Sequence, residues 1–330
     1  MLTSILINYN HACYLEASIK AILNQTLPAS EVLIIDDGST DNSVEIIKKI
    51  IAVYPTARLL CNERNIGIIP TLNRGLKEAK GKYVFFGAAD DVIMPRLFEK
   101  SIKILNNYPD AALCSSLTYF VEREEDAKIL RTALPLRQEG YISPRGVQRK
   151  QLNMGNWIQS NVTLYKREAL IEIGGFKEDL LSYTDSFSNL LLSLKHGCCF
   201  IPEALGVWRR LQSGYSSSIN ANLPLKIKVM KTAGFYMQSD YQAYFSKSFI
   251  SNWKKKFLYG AIHDIAFSAM TECKMAIKDS QENNFCKKFI IFALNSSFLI
   301  FKYCMIVALR PRDLFFRFSC YVNSVYAMRP

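Results

Sequence analysis

The sequence lacks the cysteine and histidine patterns of disulfide frameworks and zinc sites. Its nine cysteines are odd in number, and no two of them stand in the C-x-x-C spacing of zinc ribbons and redox motifs. The three histidines, His11, His196 and His263, are far apart, and none lies at metal-ligand spacing from another ligand. These absences argue against a disulfide framework and against a zinc site.

A secretory leader and a nucleic-acid-binding motif are also missing. The chain opens Met-Leu-Thr-Ser-Ile, without the basic segment that precedes the apolar core of a signal peptide. We therefore expect the opening apolar run to be a strand and the protein to stay in a reducing cytoplasm. The basic residues follow no known nucleic-acid-binding motif, so no nucleic-acid partner is expected.

The chain does have an ordinary globular composition with an uneven charge. Hydrophobic residues make up 49 % of its 330 residues and charged residues 21 %, which argues against a disordered chain and predicts about two domains. The formal net charge is +12. Residues 221–330 hold sixteen Lys and Arg against six Asp and Glu, so ten of the twelve net charges lie in the last third.

The first part of the chain alternates between two periods. Short runs rich in Ile, Val and Leu predict strands, and between them apolar residues recur at helical spacing. The predicted strands cover residues 4–7, 31–35, 58–61, 83–86 and 111–115, and the predicted helices cover residues 14–24, 43–53, 70–80 and 96–107. This order indicates an α/β fold with a mostly parallel central sheet, in which ligands bind at the carboxyl ends of the strands.

Two of these strands end in a pair of carboxylates. Asp36 and Asp37 follow the second strand, and Asp90 and Asp91 follow the fourth. Each pair alone could belong to a turn or a helix cap. Together they predict an oxygen-rich site suited to Mg²⁺ or Mn²⁺ holding a substrate diphosphate.

The order of motifs around these carboxylates resembles that of a known family, the inverting family 2 glycosyltransferases of bacterial surface-polysaccharide type, which have the GT-A fold. The resemblance covers residues 3–218. The motifs that carry it are Asn8-Tyr9-Asn10-His11, Leu23-Asn24-Gln25-Thr26, Asp36-Asp37-Gly38-Ser39-Thr40-Asp41, Asn65-Ile66-Gly67, Asn73-Arg74-Gly75, Gly81-Lys82-Tyr83, Ala89-Asp90-Asp91 with Pro95, and Gly174-Gly175-Phe176 followed by Asp185. Each motif is weak alone, and the ordered set is specific.

The resemblance implies a nucleotide site and a metal site in the first half of this region. Tyr9 would stack on the nucleotide base and Asp37 would hydrogen-bond it, with Asp36 beside them. Asp90 and Asp91 would hold the ribose and a divalent Mn²⁺ or Mg²⁺, in an order that the resemblance does not assign.

The second half of this region would supply the base and the acceptor site. Asp185 follows Gly-Gly-Phe at the family's spacing and would take the proton from an acceptor hydroxyl. An N-cap for a predicted helix over residues 186–196 is the alternative role for Asp185. Arg209 could contact the diphosphate or be a solvated charge. Asn156 and Trp157 lie where acceptor contacts occur in this fold, and a core position is the equal alternative for Trp157.

Four positions depart from the family's pattern. Ile7 stands where the family usually has a proline, and Ala88 stands where it usually has an aspartate. Without that aspartate, the family pattern assigns the metal ligands less definitely. Thr184 stands where an acidic residue often precedes the base, and Leu211 stands where a histidine is common. A non-catalytic sugar-binding or nucleotide-binding scaffold is therefore an alternative. A nucleotidyltransferase of similar architecture is another, although the loop after the first strand lacks the glycines that such an enzyme needs.

A polar Gly-Tyr-Ser-Ser-Ser segment at residues 214–218 predicts a domain boundary. We expect a catalytic domain over residues 1–218, with a nucleotide-binding half (1–122) and an acceptor half (123–218). A helical, basic extension follows over residues 219–330. Its apolar stretch, residues 289–309, contains one charge. Three alternatives fit this stretch: helices lying on an anionic membrane surface, packing against the catalytic domain or a second subunit, and a membrane span.

The expected activity is transfer of a sugar from a UDP-sugar to a hydroxyl of a lipid-linked or polysaccharide acceptor, with inversion and with a divalent metal. The basic extension would hold the protein at the inner face of the cell membrane, where anionic lipid attracts Lys and Arg. We therefore expect a cytoplasmic, peripheral protein.

Overall fold

The structure is a computed structural model that describes residues 1–121, 128–129, 134–154, 156–209, 211, 215–220 and 222–261. The chain divides into two units, of which the first is Met1–Gln212 and the second begins at Ser213. All the candidate site residues lie in the first unit.

Ten strands of the described chain form one sheet in the first unit. They are β1 (Leu2–Asn8), β2 (Glu31–Asp36), β3 (Ala57–Cys61), β4 (Tyr83–Ala88), β5 (Val92–Ile93), β6 (Leu113–Val121), β7 (Lys128–Ile129), β8 (Gly140–Ile142), β9 (Leu164–Lys166) and β10 (Cys198–Arg209). The main order across the sheet is β3-β2-β1-β4-β9-β6-β10-β5, with β7 on β6 and β8 on β10. The first four strands in this order are parallel, and so are β6 and β10, whereas β9 is antiparallel to both its neighbours.

The helices of the first unit alternate with these strands. They are α1 (Ala12–Leu23), α2 (Ser43–Ile51), α3 (Ile68–Glu78), α4 (Leu97–Asn107), α5 (Pro144–Met154), α6 (Arg167–Glu172) and α7 (Thr184–His196), together with 3₁₀ turns at Ser160–Val162 and Glu178–Tyr183. Every residue of β1 is buried. Strands buried on both faces read as continuous apolar runs, because helices cover a parallel sheet on each side.

The α/β prediction is confirmed, and the five strands and four helices predicted from the first part of the chain all overlap observed elements. One boundary differs in a way that bears on the site. The helix predicted to begin at residue 186 begins at Thr184, with Tyr183 at the N-cap position. Asp185 therefore lies inside the first turn of α7 and is not the N-cap residue.

The second unit, as far as the structure describes it, is helical. It contains α8 (Tyr215–Asn220), α9 (Leu223–Gln238), a 3₁₀ turn at Gln242–Tyr244 and a helix over residues 247–261. The Asn222 side chain accepts a hydrogen bond from the backbone N–H of Leu225 at 3.0 Å and so caps α9. No helix within the described residues is long and apolar enough to cross a membrane. The apolar stretch at residues 289–309 lies outside them.

Candidate active site

The two acidic strand ends lie on either side of β1. In the sheet register Asn8 of β1 pairs with Asp36 of β2, and Ile7 of β1 pairs with Ala88 of β4. The backbone continues these pairings beyond the strands, because Asp37 N–H donates to Asn8 O at 2.8 Å and Ala89 N–H donates to Ile7 O at 3.1 Å. The structure thus brings both acidic pairs to one edge of the sheet, as parallel strands require.

Asp36 is a buried carboxylate that accepts hydrogen bonds from residues at this edge of the sheet. It is 1 % exposed. Its Oδ1 accepts hydrogen bonds from Asn8 Nδ2 at 2.7 Å and from the Ser39 hydroxyl at 2.6 Å, and its Oδ2 accepts from Ser39 N–H at 2.9 Å. At this position Asp36 supports the turn that follows β2.

Asp37 holds the loop that follows β3. Its Oδ1 accepts from Asn62 Nδ2 at 2.6 Å and from Ile66 N–H at 3.0 Å, and its Oδ2 accepts from Gly67 N–H at 2.9 Å. These three donors leave Oδ2 with spare accepting capacity. Gly38 turns away with φ +71°, and a Cβ there would lie 2.5 Å from the Arg64 carbonyl carbon.

Tyr9 is presented at the same edge, with 41 % of its surface exposed. The next residue, Asn10, has a left-handed backbone with φ 54°. Its side-chain oxygen accepts from Thr40 N–H at 2.8 Å, and its own N–H donates to the Ser39 hydroxyl at 2.9 Å. The strained backbone is thus held by hydrogen bonds to the Asp-Asp-Gly-Ser-Thr turn, which leaves the Tyr9 ring free for a ligand.

Arg209 is attached to the second acidic pair. Its backbone N–H donates to Asp91 Oδ1 at 3.0 Å, and its guanidinium Nη1 donates to the Asp90 carbonyl at 2.8 Å. The guanidinium also lies over the Tyr14 ring, 5.5 Å from the ring centroid. Sequence reasoning offered a diphosphate contact or a solvated charge for Arg209, and it missed this contact with the Asp90–Asp91 turn.

The electrostatics of the second pair favour a bound cation. Burial raises the pKa of Asp91 well above its ordinary value, and the adjacent Asp90 carboxylate raises it further. A divalent ion would stabilise the ionised pair. Within the described residues, no cluster of three or more His, Cys, Asp or Glu side chains surrounds such a position. The pair therefore fits Mg²⁺ or Mn²⁺ of the kind held by one or two carboxylates, with further ligands from substrate phosphates and water.

Asp185 lies in the first turn of α7, where the helix dipole favours a negative charge. Its Oδ1 accepts from Ser186 N–H at 2.6 Å. Burial raises the pKa of Asp185, and hydrogen bonds from Ser160 and Ser186 oppose that rise. Ser160 in turn accepts from Asn189 Nδ2 at 3.1 Å. A carboxylate with a raised pKa is a stronger base than an ordinary aspartate, which suits proton abstraction near neutral pH.

Tyr165 on β9 is a titratable side chain close enough to this carboxylate to be affected by its charge. The side chain is 1 % exposed, and burial together with the charge of Asp185 raises the pKa of Tyr165. Tyr165 is therefore a neutral phenol near the candidate base.

The prediction of an acceptor contact for Trp157 needs correction. The Trp157 side chain is 1 % exposed and packs in the core. A ring so deeply buried has no face for a sugar to stack on, so the core alternative fits. Asn156 is exposed, and its Oδ1 accepts from Ile158 N–H at 3.1 Å.

Several polar residues of the site were missed because the sequence reasoning searched for carboxylates. Asn62 directly follows β3, as Asn8 ends β1, so the rule that found the aspartates at strand ends could have found them as well. Ser160 is harder to find, since only the fold shows that its 3₁₀ turn lies beside Asp185.

Comparison with known proteins decides the family. The family model for glycosyl transferase family 2 matches residues 3–174, about half of the chain. The chain belongs to glycosyl transferase family 2. The match includes both acidic pairs, whereas Asp185 and Arg209 lie beyond it.

A curated relative agrees with this assignment, and two solved structures are similar in fold. YibD of Escherichia coli, an uncharacterized glycosyltransferase, is 32 % identical over 186 residues, which are 54 % of this chain and 54 % of YibD. The chain thus matches about half the length of that relative. Residues 1–349 of Staphylococcus aureus TarS, solved with UDP-GlcNAc, superpose with a TM-score of 0.57 at 16 % identity, covering 80 % of this chain and 72 % of that one.

The second solved structure is the mannosyltransferase PcManGT from Pyrobaculum calidifontis, in complex with GDP-Man and Mn²⁺. It has a TM-score of 0.57 at 17 % identity, covering 95 % of this chain and 86 % of that one. At such identities these likenesses establish the fold, which is the GT-A fold of glycosyltransferases.

Proposed function

We propose that this protein is an inverting glycosyltransferase that moves one sugar from a nucleotide-sugar, a UDP-sugar in the first instance, to a hydroxyl of a lipid-linked or polysaccharide acceptor. The observation that carries the proposal is the meeting of two acidic strand ends beside the exposed Tyr9 in a family 2 domain. The neighbouring structures contain UDP-GlcNAc in one case and GDP-Man with Mn²⁺ in the other, which supports a nucleotide-sugar donor.

The residues suggest how the reaction would run. Tyr9 would stack on the base of the donor, and the free lone pair of Asp37 would accept a hydrogen bond from it. Mn²⁺ or Mg²⁺ held by Asp90 and Asp91 would offset the negative charge of the leaving diphosphate. Asp185 would take the proton of the acceptor hydroxyl as that oxygen bonds to the anomeric carbon. The bond from that carbon to the diphosphate breaks on the opposite side, and the configuration inverts.

The donor can be identified by a panel of nucleotide-sugars that includes UDP-GlcNAc and GDP-mannose, each with and without Mn²⁺. A ligand present at about 100 times its Kd raises the free energy of unfolding by about 2.7 kcal/mol, which is easily seen as a shift in Tm. Release of free nucleoside diphosphate from the stabilising donor then reports turnover. If no nucleotide-sugar stabilises the protein or is consumed, the proposal is wrong.

The general base has its own test. Asp185→Asn should leave donor affinity unchanged and lower kcat by about 10²-fold to 10⁴-fold, since an amide cannot accept the proton. Glu168→Gln, an exposed carboxylate on α6, is the matched control and should leave kcat unchanged. Near-normal turnover of Asp185→Asn would place the base elsewhere or indicate a non-catalytic scaffold.

A further inference from the structure

Helix α3 presents consecutive residues, Asn73 and Arg74, to two different parts of the site. Asn73 pairs with the peptide of Phe176, 103 residues later in the chain. Its Nδ2 donates to Phe176 O at 2.8 Å, and its Oδ1 accepts from Phe176 N–H at 2.9 Å. This two-bond pair fixes the Gly174–Gly175–Phe176 turn, which leads through the Glu178–Tyr183 3₁₀ turn to Asp185.

The turn is shaped to receive Asn73. Gly175 has φ +68°, and a Cβ there would lie 2.6 Å from Asn73 Oδ1, so no side chain fits between them. The Phe176 ring is buried and meets Phe86 of β4 edge to face, with ring centroids 5.1 Å apart. The turn is therefore fixed on one side by Asn73 and on the other by the sheet.

Arg74 acts on the donor side of the same helix. Its Nη1 donates to Cys61 O at 3.0 Å and also to Asn62 Oδ1. With its oxygen held by Arg74, the Asn62 amide directs its Nδ2 to Asp37 Oδ1 at 2.6 Å and to Thr71 Oγ1 at 3.0 Å. Arg74 thus sets the orientation of the amide that holds Asp37 and its loop.

We infer that Asn73 and Arg74 are positioning residues with separate tasks, Asn73 for the approach to Asp185 and Arg74 for the Asp37 loop. The inference rests on the proposed function. Because α3 holds both partners, one helix keeps the donor-binding edge and the candidate base in a fixed relation. Neither residue would touch the reacting atoms of the proposed reaction.

The test separates the two tasks by kinetics. Asn73→Ala should lower kcat by about tenfold to 10²-fold, since a base displaced by about 1 Å loses that much, and leave donor Kd unchanged. Arg74→Ala should weaken donor binding by about tenfold and change kcat less. Turnover and affinity are measured with whichever of UDP-GlcNAc and GDP-mannose the protein hydrolyses. Lys77→Ala, exposed on the next turn of α3, is the control and should change neither.

A double-mutant cycle shows whether Asn73 acts through Asp185. In the Asp185→Asn background, Asn73→Ala should cause little further loss of kcat, because the group that it positions no longer accepts a proton. Asn73→Asp keeps the acceptor for Phe176 N–H and loses the donor to Phe176 O, so its kcat should lie between those of wild type and Asn73→Ala.

Hydrogen–deuterium exchange gives a second readout that needs no turnover. Asn73→Ala should speed exchange at residues 174–187 and Arg74→Ala at residues 62–67, each without the other. If both variants change the same segment, or both change kcat and Kd alike, the division of tasks is overturned. An Asp185→Asn variant that stays active would overturn the proposed base instead. Hydrogen–deuterium exchange would still show which segment Asn73 holds and which segment Arg74 holds.

Discussion

At the scale of single residues, the two acidic pairs differ in how their charge is compensated. Asp36 and Asp37 are both buried, and each accepts three hydrogen bonds from protein groups. Asp91 accepts one from Arg209 N–H, and its pKa is raised by burial and, further, by the adjacent Asp90 carboxylate. Protein donors therefore compensate the charge of the first pair, whereas the second is the pair that a cation would stabilise.

This difference predicts the effect of removing the second pair's charge. The double variant Asp90→Asn with Asp91→Asn should fold normally, because an amide oxygen at position 91 still accepts from Arg209 N–H. It should lose the Mn²⁺ dependence of UDP binding, measured by titration calorimetry with and without the metal. Glu168→Gln is again the control. Unchanged Mn²⁺ dependence in the double variant would show that the metal binds elsewhere.

The Ser160 hydroxyl and burial shift the pKa of Asp185 in opposite directions. Burial raises the pKa of Asp185 and the Ser160 hydrogen bond lowers it, so Ser160→Ala should raise that pKa further. A base must be ionised, so the acid limb of the kcat profile should move to higher pH. The pH dependence of kcat measures the shift directly.

The control for Ser160 lies on α7 itself. Ser188 is 1 % exposed and its hydroxyl has no hydrogen-bond partner among the described residues, so Ser188→Ala also removes a buried hydroxyl. It should leave the acid limb in place. An acid limb that stays put in Ser160→Ala, or moves equally in Ser188→Ala, contradicts the role given to Ser160.

At the scale of elements, the sequence predicts more of the sheet than of the site. The strands β1 to β4 could be predicted because continuous apolar runs carry the signal locally, and the acidic pairs because they directly follow such runs. The contact between Asn73 and Phe176 could not be predicted, since it joins residues 103 positions apart. Trp157 shows the same limit, because its sequence neighbourhood fits a sugar platform and a core residue equally well.

The seating of α3 on the sheet gives a prediction at this scale. A Cβ on Gly75 would lie 2.7 Å from Ile5 Cγ2 and 3.1 Å from Ile35 Cδ1, and both isoleucines are fully buried. Gly75→Ala should therefore destabilise the first unit by about 1–3 kcal/mol through overpacking, despite alanine's better helix propensity. Thermal unfolding measures the loss.

Gly260 provides the control for Gly75→Ala, since it also lies in a helix and a Cβ there would have no atom within 4 Å. Gly260→Ala should leave Tm unchanged or raise it. If Gly75→Ala were as stable as wild type, α3 would have room to shift, and its role as a rigid link between donor edge and base would be weakened.

At the scale of the whole molecule, the charge of the last third suggests where the protein acts. We propose that residues 1–218 form the catalytic domain and that residues 219–330 bring it to an anionic membrane surface. The described part of this region supports the proposal, because α9 exposes Lys228, Lys231 and Phe235 at helical spacing, with Phe235 64 % exposed. Basic and aromatic residues on one helix face are typical of interfacial binding.

Reversing the charge of that face gives the last prediction. Each basic residue near an anionic surface contributes about 1 kcal/mol, so Lys228→Glu with Lys231→Glu should lower partitioning onto phosphatidylserine vesicles by tenfold or more, measured by co-sedimentation of the full chain. Lys77→Glu with Lys80→Glu changes the net charge equally but on exposed positions of the first unit, and it should reduce partitioning much less. Neutral vesicles should bind less of every form, and salt should weaken binding only in part, because apolar burial is not screened.

A chain ending at residue 218 should stay soluble and lose binding in the same assay. Equal partitioning of wild type and both double variants, or an insoluble truncated chain, would favour packing of the extension against protein over docking on a membrane.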